Sequence, residues 1–251
     1  HTVALLRFPK RAYYCDETFE GKAEVYNYSP SILKSAKAKW WITDASGRVL
    51  KSGRLKTQRI GNYGVFPLGT FQYMLNSVTA PQKLTNLSVG DKVHNSWDIW
   101  VYPHHKDLMQ TTPDVLYTTT YDAKAKQYLQ EGKKVVLCPK PNKVKGRKSV
   151  FHNHFWNPIM FKWAPTTLGC LIHADQPMFA DFITEKHLDW QWWDILTNAK
   201  VIDMTDTPQE LRPFIQVIDS YETNQKLGIG FEARVNNGKL LVLAVDTRED
   251  P

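Results

Sequence analysis

Apolar and polar positions alternate in short runs through the first hundred residues. The runs 2–8, 18–28, 37–44, 48–55, 69–75, 82–89 and 96–102 are rich in Val, Thr, Leu and aromatics. Turn-forming stretches separate them, such as Asp44-Ala-Ser-Gly47, Ile60-Gly-Asn-Tyr-Gly64 and Ser88-Val-Gly-Asp91. About seven short strands at this spacing, with strict alternation through Ala23-Glu-Val-Tyr-Asn-Tyr28, predict an antiparallel β-sandwich of immunoglobulin-like type. Successive side chains on a strand face opposite ways. In Lys39-Trp-Trp-Ile42 one tryptophan is therefore expected in the core and the other half-exposed.

The pattern changes after Val101-Tyr-Pro-His-His-Lys106, which reads as a boundary between a first domain, 1–104, and a second, 105–251. Residues 115–120 form an apolar, β-branched run. A helical stretch follows over 122–130, with Asp122 as its N-cap and Gly132 as its stop. Val135-Val-Leu-Cys138 is the next buried strand, which makes a β–α–β unit. Further strands are expected at 168–172, 201–204, 214–220, 226–235 and 240–246, and helical stretches at 176–182 and 190–198. Asn236-Asn-Gly238 marks a hairpin between the last two strands. The second half therefore reads as α/β, with parallel strands and a C-terminal antiparallel hairpin.

Composition and charge narrow the function. The 251 residues are 42% hydrophobic and 12% aromatic, enough to bury a sizeable core. No apolar run reaches the ~20 residues that a membrane-spanning helix needs. The chain starts at His1 without a methionine, which suggests an excised fragment or processed product. The net charge is +7, and the stretch from Gly132 to Ala174 has eight basic residues and no acidic one. Its loop Lys140–Lys148 reads as solvated, and nucleic acid is not an expected partner. Cys15, Cys138 and Cys170 form neither a CxxC pair nor a disulfide framework; they read as three buried small hydrophobes.

Candidate chemistry is sparse. No GxSxG elbow is present. Cys138 ends a strand, but Pro139 follows it and has no N–H to give an oxyanion hole. Gly228-Ile-Gly230 stands alone in a strand pattern, so no dinucleotide cofactor is expected. His152 and His154 share a face if extended, but a metal site needs a third ligand, which His173 or His187 could supply only by folding. Asp181, Glu185, Asp189 and Asp194 lie near one another in sequence without a spacing that makes an acid–base pair. No catalytic residue, metal or cofactor is assigned.

What remains is aromatic. Phe151, Phe155, Trp156, Phe161, Trp163, Trp190, Trp192 and Trp193 fall in one window. Tryptophan either fills a core or offers a flat platform to a ligand. In Asp189-Trp-Gln-Trp-Trp193, Trp190 and Trp193 have helical i, i+3 spacing and are expected to pack. Trp192, offset from them, is expected to reach a ligand or another domain. The candidate carbohydrate-binding or docking set is Trp156, Asp189, Trp190, Trp192, Trp193, His152 and His154.

Several runs resemble glycoside hydrolase family 2 proteins of the β-galactosidase-like kind found in polysaccharide-degrading gut bacteria. In the first half these are Gly69-Thr-Phe-Gln-Tyr-Met-Leu75, Ala80-Pro-Gln-Lys-Leu-Thr85 and Asn95-Ser-Trp-Asp-Ile-Trp-Val-Tyr-Pro103. In the second they are Gly146-Arg-Lys-Ser-Val150, Phe155-Trp-Asn-Pro158, Thr167-Leu-Gly169, Asp189-Trp-Gln-Trp-Trp193, Gln216-Val-Ile-Asp219 and Phe231-Glu-Ala233. The resemblance implies a C-terminal accessory region: a β-sandwich, then a flavodoxin-like domain similar to class I glutamine amidotransferases without their catalytic cysteine. It implies a secreted or periplasmic parent whose catalytic barrel and sugar-binding domains are partners, with oligosaccharide binding and homo-oligomer contacts as further roles. Two other readings stand beside it. One is a free-standing hydrolase with a site rebuilt around His152, His154 and Asp189; the other is a purely structural module.

Overall fold

The computed structural model describes residues 1–89, 93–103, 112–148, 167–221 and 223–245, with backbone alone over 84–89. The protein is mostly β-sheet and forms two compact units. Unit 1 is His1–Lys106 with Asp181–Ile183, and unit 2 is Asp107–Ala180 with Thr184–Pro251.

Unit 1 is a β-sandwich. One layer holds β1 (Thr2–Arg7), β3 (Thr18–Asn27) and β8 (Gly64–Met74), in the order β1-β3-β8. The other holds β2 (Ala12–Tyr14), β5 (Ala38–Thr43), β6 (Val49–Arg54), β9 (Gln82–Val89) and β11 (Ile99–Tyr102), ordered β2-β11-β9-β5-β6, with β10 (Val93–Asn95) also on β9. A small ribbon pairs β4 (Leu33–Ala36) with β7 (Gln58–Ile60). Pairing is antiparallel except between β11 and the short β2, which run parallel. Alternation in β3 places Phe19, Ala23, Val25 and Asn27 inward. Phe71 of one layer stacks on Trp40 of the other, with centroids 4.4 Å apart and planes at 10°. Trp41 is half-buried on the opposite face of β5.

Strand β8 begins five residues before the run expected at 69–75. Pro67 hides that beginning in the sequence, because proline cannot donate to a ladder. The structure tolerates it because β8 is an edge strand and Pro67 sits at a bulge. Ala23 faces Gly69 while Glu24 faces Pro67, so Leu68 is the extra residue, and it turns into the core.

Unit 2 is built on one mixed sheet, ordered β12-β13-β18-β17-β16-β14. Its strands are β12 (Val115–Thr118), β13 (Lys134–Leu137), β14 (Gly169–Ile172), β16 (Ile215–Ile218), β17 (Leu227–Val235) and β18 (Gly238–Leu243), with β15 (Ile202–Asp203) added on β17. Helix α1 (Ala123–Gln130) links β12 to the parallel β13. The Asp122 carboxylate accepts from the Ala125 N–H at 2.9 Å, satisfying a donor the helix start leaves free. Ala125 and Leu129 of α1 pack on Val135, Leu240 and Val242. β18 runs parallel to β13, while β17, β16 and β14 are antiparallel. The helical stretch expected over 176–182 is only the 3₁₀ turn Pro177–Phe179, and the one expected over 190–198 is the short α2 (Trp192–Leu196).

Candidate functional site

The tryptophan cluster follows strand β14. Leu171 of β14 bridges to His187, and the Ile172 N–H donates to the Lys186 carbonyl at 2.9 Å, so the chain runs beside the sheet before entering α2. At the entry, Asp189 Oδ1 accepts from the Gln191 backbone N–H at 3.1 Å, and Oδ2 accepts from Gln191 Nε2 at 3.0 Å. Gln191 is buried. Asp189 therefore holds the turn that launches the helix.

The four aromatic and amide positions then sort in pairs. Trp190 is 52% exposed and Trp193 41%, whereas Trp192 is 3% exposed. Trp192 Nε1 donates to Thr184 Oγ1 at 3.0 Å, and its ring takes Phe179 edge-on at 6.2 Å. Phe179 in turn meets Phe214 edge-on, which ties the cluster to the sheet. Trp190 and Trp193 lie side by side, with centroids 5.9 Å apart and planes at 42°. This reverses the expected roles. The i, i+3 spacing does bring Trp190 and Trp193 together, but on the outer face. Trp192 is the core residue, because a helix shorter than two turns can bury only one narrow stripe and that stripe is Trp192 and Leu196.

The other candidates fare differently. His152, His154 and Trp156 lie outside the described residues, as do His104, His105 and the phenylalanines of the 151–161 stretch. Among the described residues no group of three His, Cys, Asp or Glu side chains is placed to hold a metal. Asp181, Glu185, His187 and Asp194 are exposed. Cys170 is buried in β14, and burial pushes its thiol up to about 12; burial also raises the Cys138 thiol. At neutral pH both carry their proton, so neither is the thiolate that nucleophilic attack requires. Gly228 and Gly230 sit in β17, where a Cβ would stand 2.7 Å from Met204 Sδ and 2.4 Å from the Phe214 ring. They make room for packing rather than for a phosphate.

One buried polar arrangement in unit 2 has no counterpart among the sequence expectations. The loop expected to be solvated is fastened along the sheet. The Val201 N–H donates to the Arg147 carbonyl at 2.8 Å, and Lys148 bridges to Lys200. Arg147 Nη1 reaches Asp219 Oδ1 at 2.6 Å, and the Asp219 side chain is 1% exposed. The same carboxylate accepts from the Ser220 N–H, the Gln225 N–H and the Thr223 hydroxyl at 2.7–2.8 Å. Burial alone would raise its pKa, but these donors and the guanidinium outweigh that and hold it below the usual range. The available signal was that Arg147 is the sole arginine among the basic residues of its window, and arginine is the cation suited to buried pairs.

Comparison with known proteins adds the following. The model described as Domain of unknown function (DUF8488) matches residues 17–103, and that described as Domain of unknown function (DUF8487) matches residues 116–251. No curated protein matches the chain. Among solved structures, the chain is similar to a CARDB domain from Pyrococcus furiosus, crystallised in complex with di-metal ions, at 15% identity and TM-score 0.32, over 41% of this chain and 94% of that one. It is also similar to a mutant β-glucosidase from Listeria innocua in complex with laminaribiose, at 10% identity and TM-score 0.30, over 40% of this chain and 16% of that one. The sporulation control protein Spo0M from Bacillus subtilis is similar at 10% identity and TM-score 0.29, over 41% and 49% of the two chains. With more than half of its residues, 116–251, matched by the second of these models, the chain belongs to the DUF8487 family.

Proposed function

We propose that the chain is a non-catalytic accessory region of a β-galactosidase-like glycoside hydrolase and that it holds glycan on Trp190 and Trp193. The observation that carries this reading is the pair of exposed indoles fixed side by side over a buried base. Sugar rings present apolar C–H faces, and a rigid aromatic ledge binds them at low entropic cost. The base is preorganised: the Asp189–Gln191 clamp and the Trp192–Thr184 hydrogen bond set the backbone that presents both rings. Asp189 is here an orienting group, its carboxylate engaged by Gln191, which weighs against a rebuilt hydrolase site that would use it as a base.

On this reading unit 1 is an immunoglobulin-like spacer, and unit 2 is a reduced flavodoxin-like domain. The parallel β12–α1–β13 unit is the feature that supports the second assignment. The expected partners are the parent's barrel and sugar-binding domains, together with oligosaccharide and a second copy of the chain, in the periplasm or outside the cell. The same exposed indoles also suit docking to the barrel, since exposed apolar surface marks interaction sites.

A glycan array with the intact chain separates these roles. The reading predicts binding to at least one neutral oligosaccharide class, lost in the Trp190→Ala/Trp193→Ala double variant with the fold retained. An intact, folded chain that binds no glycan would remove the platform and leave docking.

A further inference from the structure

A second candidate site lies on unit 1, on the outer face of the β5–β6 hairpin. A shallow cleft of about 470 Å³ opens there, within the range of small-ligand sites. Register explains its lining. Lys39 faces Arg54 and Trp41 faces Ser52 across the two strands, so these four side chains share the outer face. Val49 and the paired Trp40 and Gly53 also border it.

Gly53 seats the neighbouring core indole. It stands opposite Trp40, and a Cβ there would lie 2.7 Å from Trp40 Nε1. The missing side chain leaves the space on the core side that the Trp40 ring fills. Every polar side chain on the outer face can donate: the Ser52 hydroxyl, the Lys39 ammonium and the Arg54 guanidinium. No carboxylate lines it, and neither Lys39 nor Arg54 has an ion-pair partner among the described residues. The surrounding sequence extends this field. Between Lys34 and Arg59 there are eight lysines and arginines and one acidic residue, Asp44, whose carboxylate is engaged by Arg48. An indole face beside two cations and a hydroxyl is chemistry for a ring that carries an anionic oxygen group.

We propose that this cleft is a subsite for an acidic sugar, with the ring stacked on Trp41 and its carboxylate or sulfate held by Lys39 and Arg54. The ligand class rests on the glycan reading given above, but the site uses none of the residues of the Trp190–Trp193 pair.

The test is isothermal titration of the full chain with polygalacturonate, dextran sulfate, neutral dextran and a neutral galactan. One or both acidic polymers should bind at least tenfold more tightly than its neutral counterpart, and the stronger of the two tells carboxylate from sulfate. The Lys39→Gln/Arg54→Gln variant should lose that preference at least tenfold, and Trp41→Ala should weaken binding comparably. Lys51→Gln/Lys56→Gln, which changes the same charge outside the cleft, should leave it within about twofold. Equal loss in that control overturns the subsite in favour of diffuse polyanion binding. So does an absence of acidic preference, or tighter Trp41-dependent binding of an oligothymidylate than of either polymer. Acidic binding that survives Trp190→Ala/Trp193→Ala, with neutral binding absent throughout, would sink the platform and leave the cleft standing.

Discussion

Asp219 and Trp192 show how much a single side chain decides in this fold. Asp219 is sealed from solvent and receives three hydrogen bonds beside the Arg147 ion pair. Removing one partner of a buried pair leaves the other charge uncompensated, so Arg147→Met should cost about 3 kcal/mol of unfolding free energy. The pH dependence has a definite sign. The folded carboxyl titrates below its ordinary value, so its stabilisation is fully present above about pH 4 and is lost as pH falls through the folded pKa. Urea titrations at pH 7 and pH 3 should show a smaller acid-induced loss in Asp219→Asn than in the parent; an equal loss would contradict this assignment. For the tryptophans, Trp192→Ala should destabilise by about 3–5 kcal/mol because it empties a packed site. Trp190→Ala and Trp193→Ala should each cost no more than about 1 kcal/mol. Thermal melts of the three variants check the ordering. The sequence showed that these three indoles belonged together but not which one faced inward. Helical spacing fixes which residues share a side, and only the packing of Phe179 and Phe214 fixes which side is buried.

At the scale of elements, alternation and caps were legible and bulges were not. The β3 pattern, the Asp122 cap and the β17–β18 hairpin follow from local chemistry that the sequence displays. The first half of β8 does not, because Pro67 looks like a strand breaker until its edge position is known. The short strands β2, β4 and β7 are likewise too brief to carry a period. Arg147 stayed hidden because its partner is 72 residues away, and a long-range pair has no local signature. The Gly228-Ile-Gly230 run was visible, but its reason is tertiary. A methyl group at Gly230 would press into the Phe214 ring, so Gly230→Ala should cost about 1–3 kcal/mol through overpacking. A Phe214→Leu background should recover part of that loss in a double-mutant cycle; strict additivity would show that the ring is not the obstacle.

For the whole molecule, cohesion comes from packing and hydrogen bonding rather than from covalent links. Cys15, Cys138 and Cys170 are all free thiols. The melting midpoint should therefore be unchanged, within about 1 °C, by a reducing agent, and a fall on reduction would reveal a bridge. The charge is also uneven: a basic stretch runs from Lys34 to Arg59 in unit 1, in addition to the one from Gly132 to Ala174. The second stretch is partly consumed by structure through Arg147, whereas the first lines an open cleft with donors. The sequence drew attention only to the second stretch, because its lack of acidic residues is visible in the count while the pairing of its arginine is not.

The exposed indole pair of unit 2 carries the proposed function. Its most direct test is the change in tryptophan fluorescence of the intact chain as a neutral oligosaccharide from the array is titrated in. The account predicts a saturable change that disappears in Trp190→Ala/Trp193→Ala while the far-ultraviolet circular dichroism stays that of the parent. A saturable change of undiminished size in that double variant would contradict it.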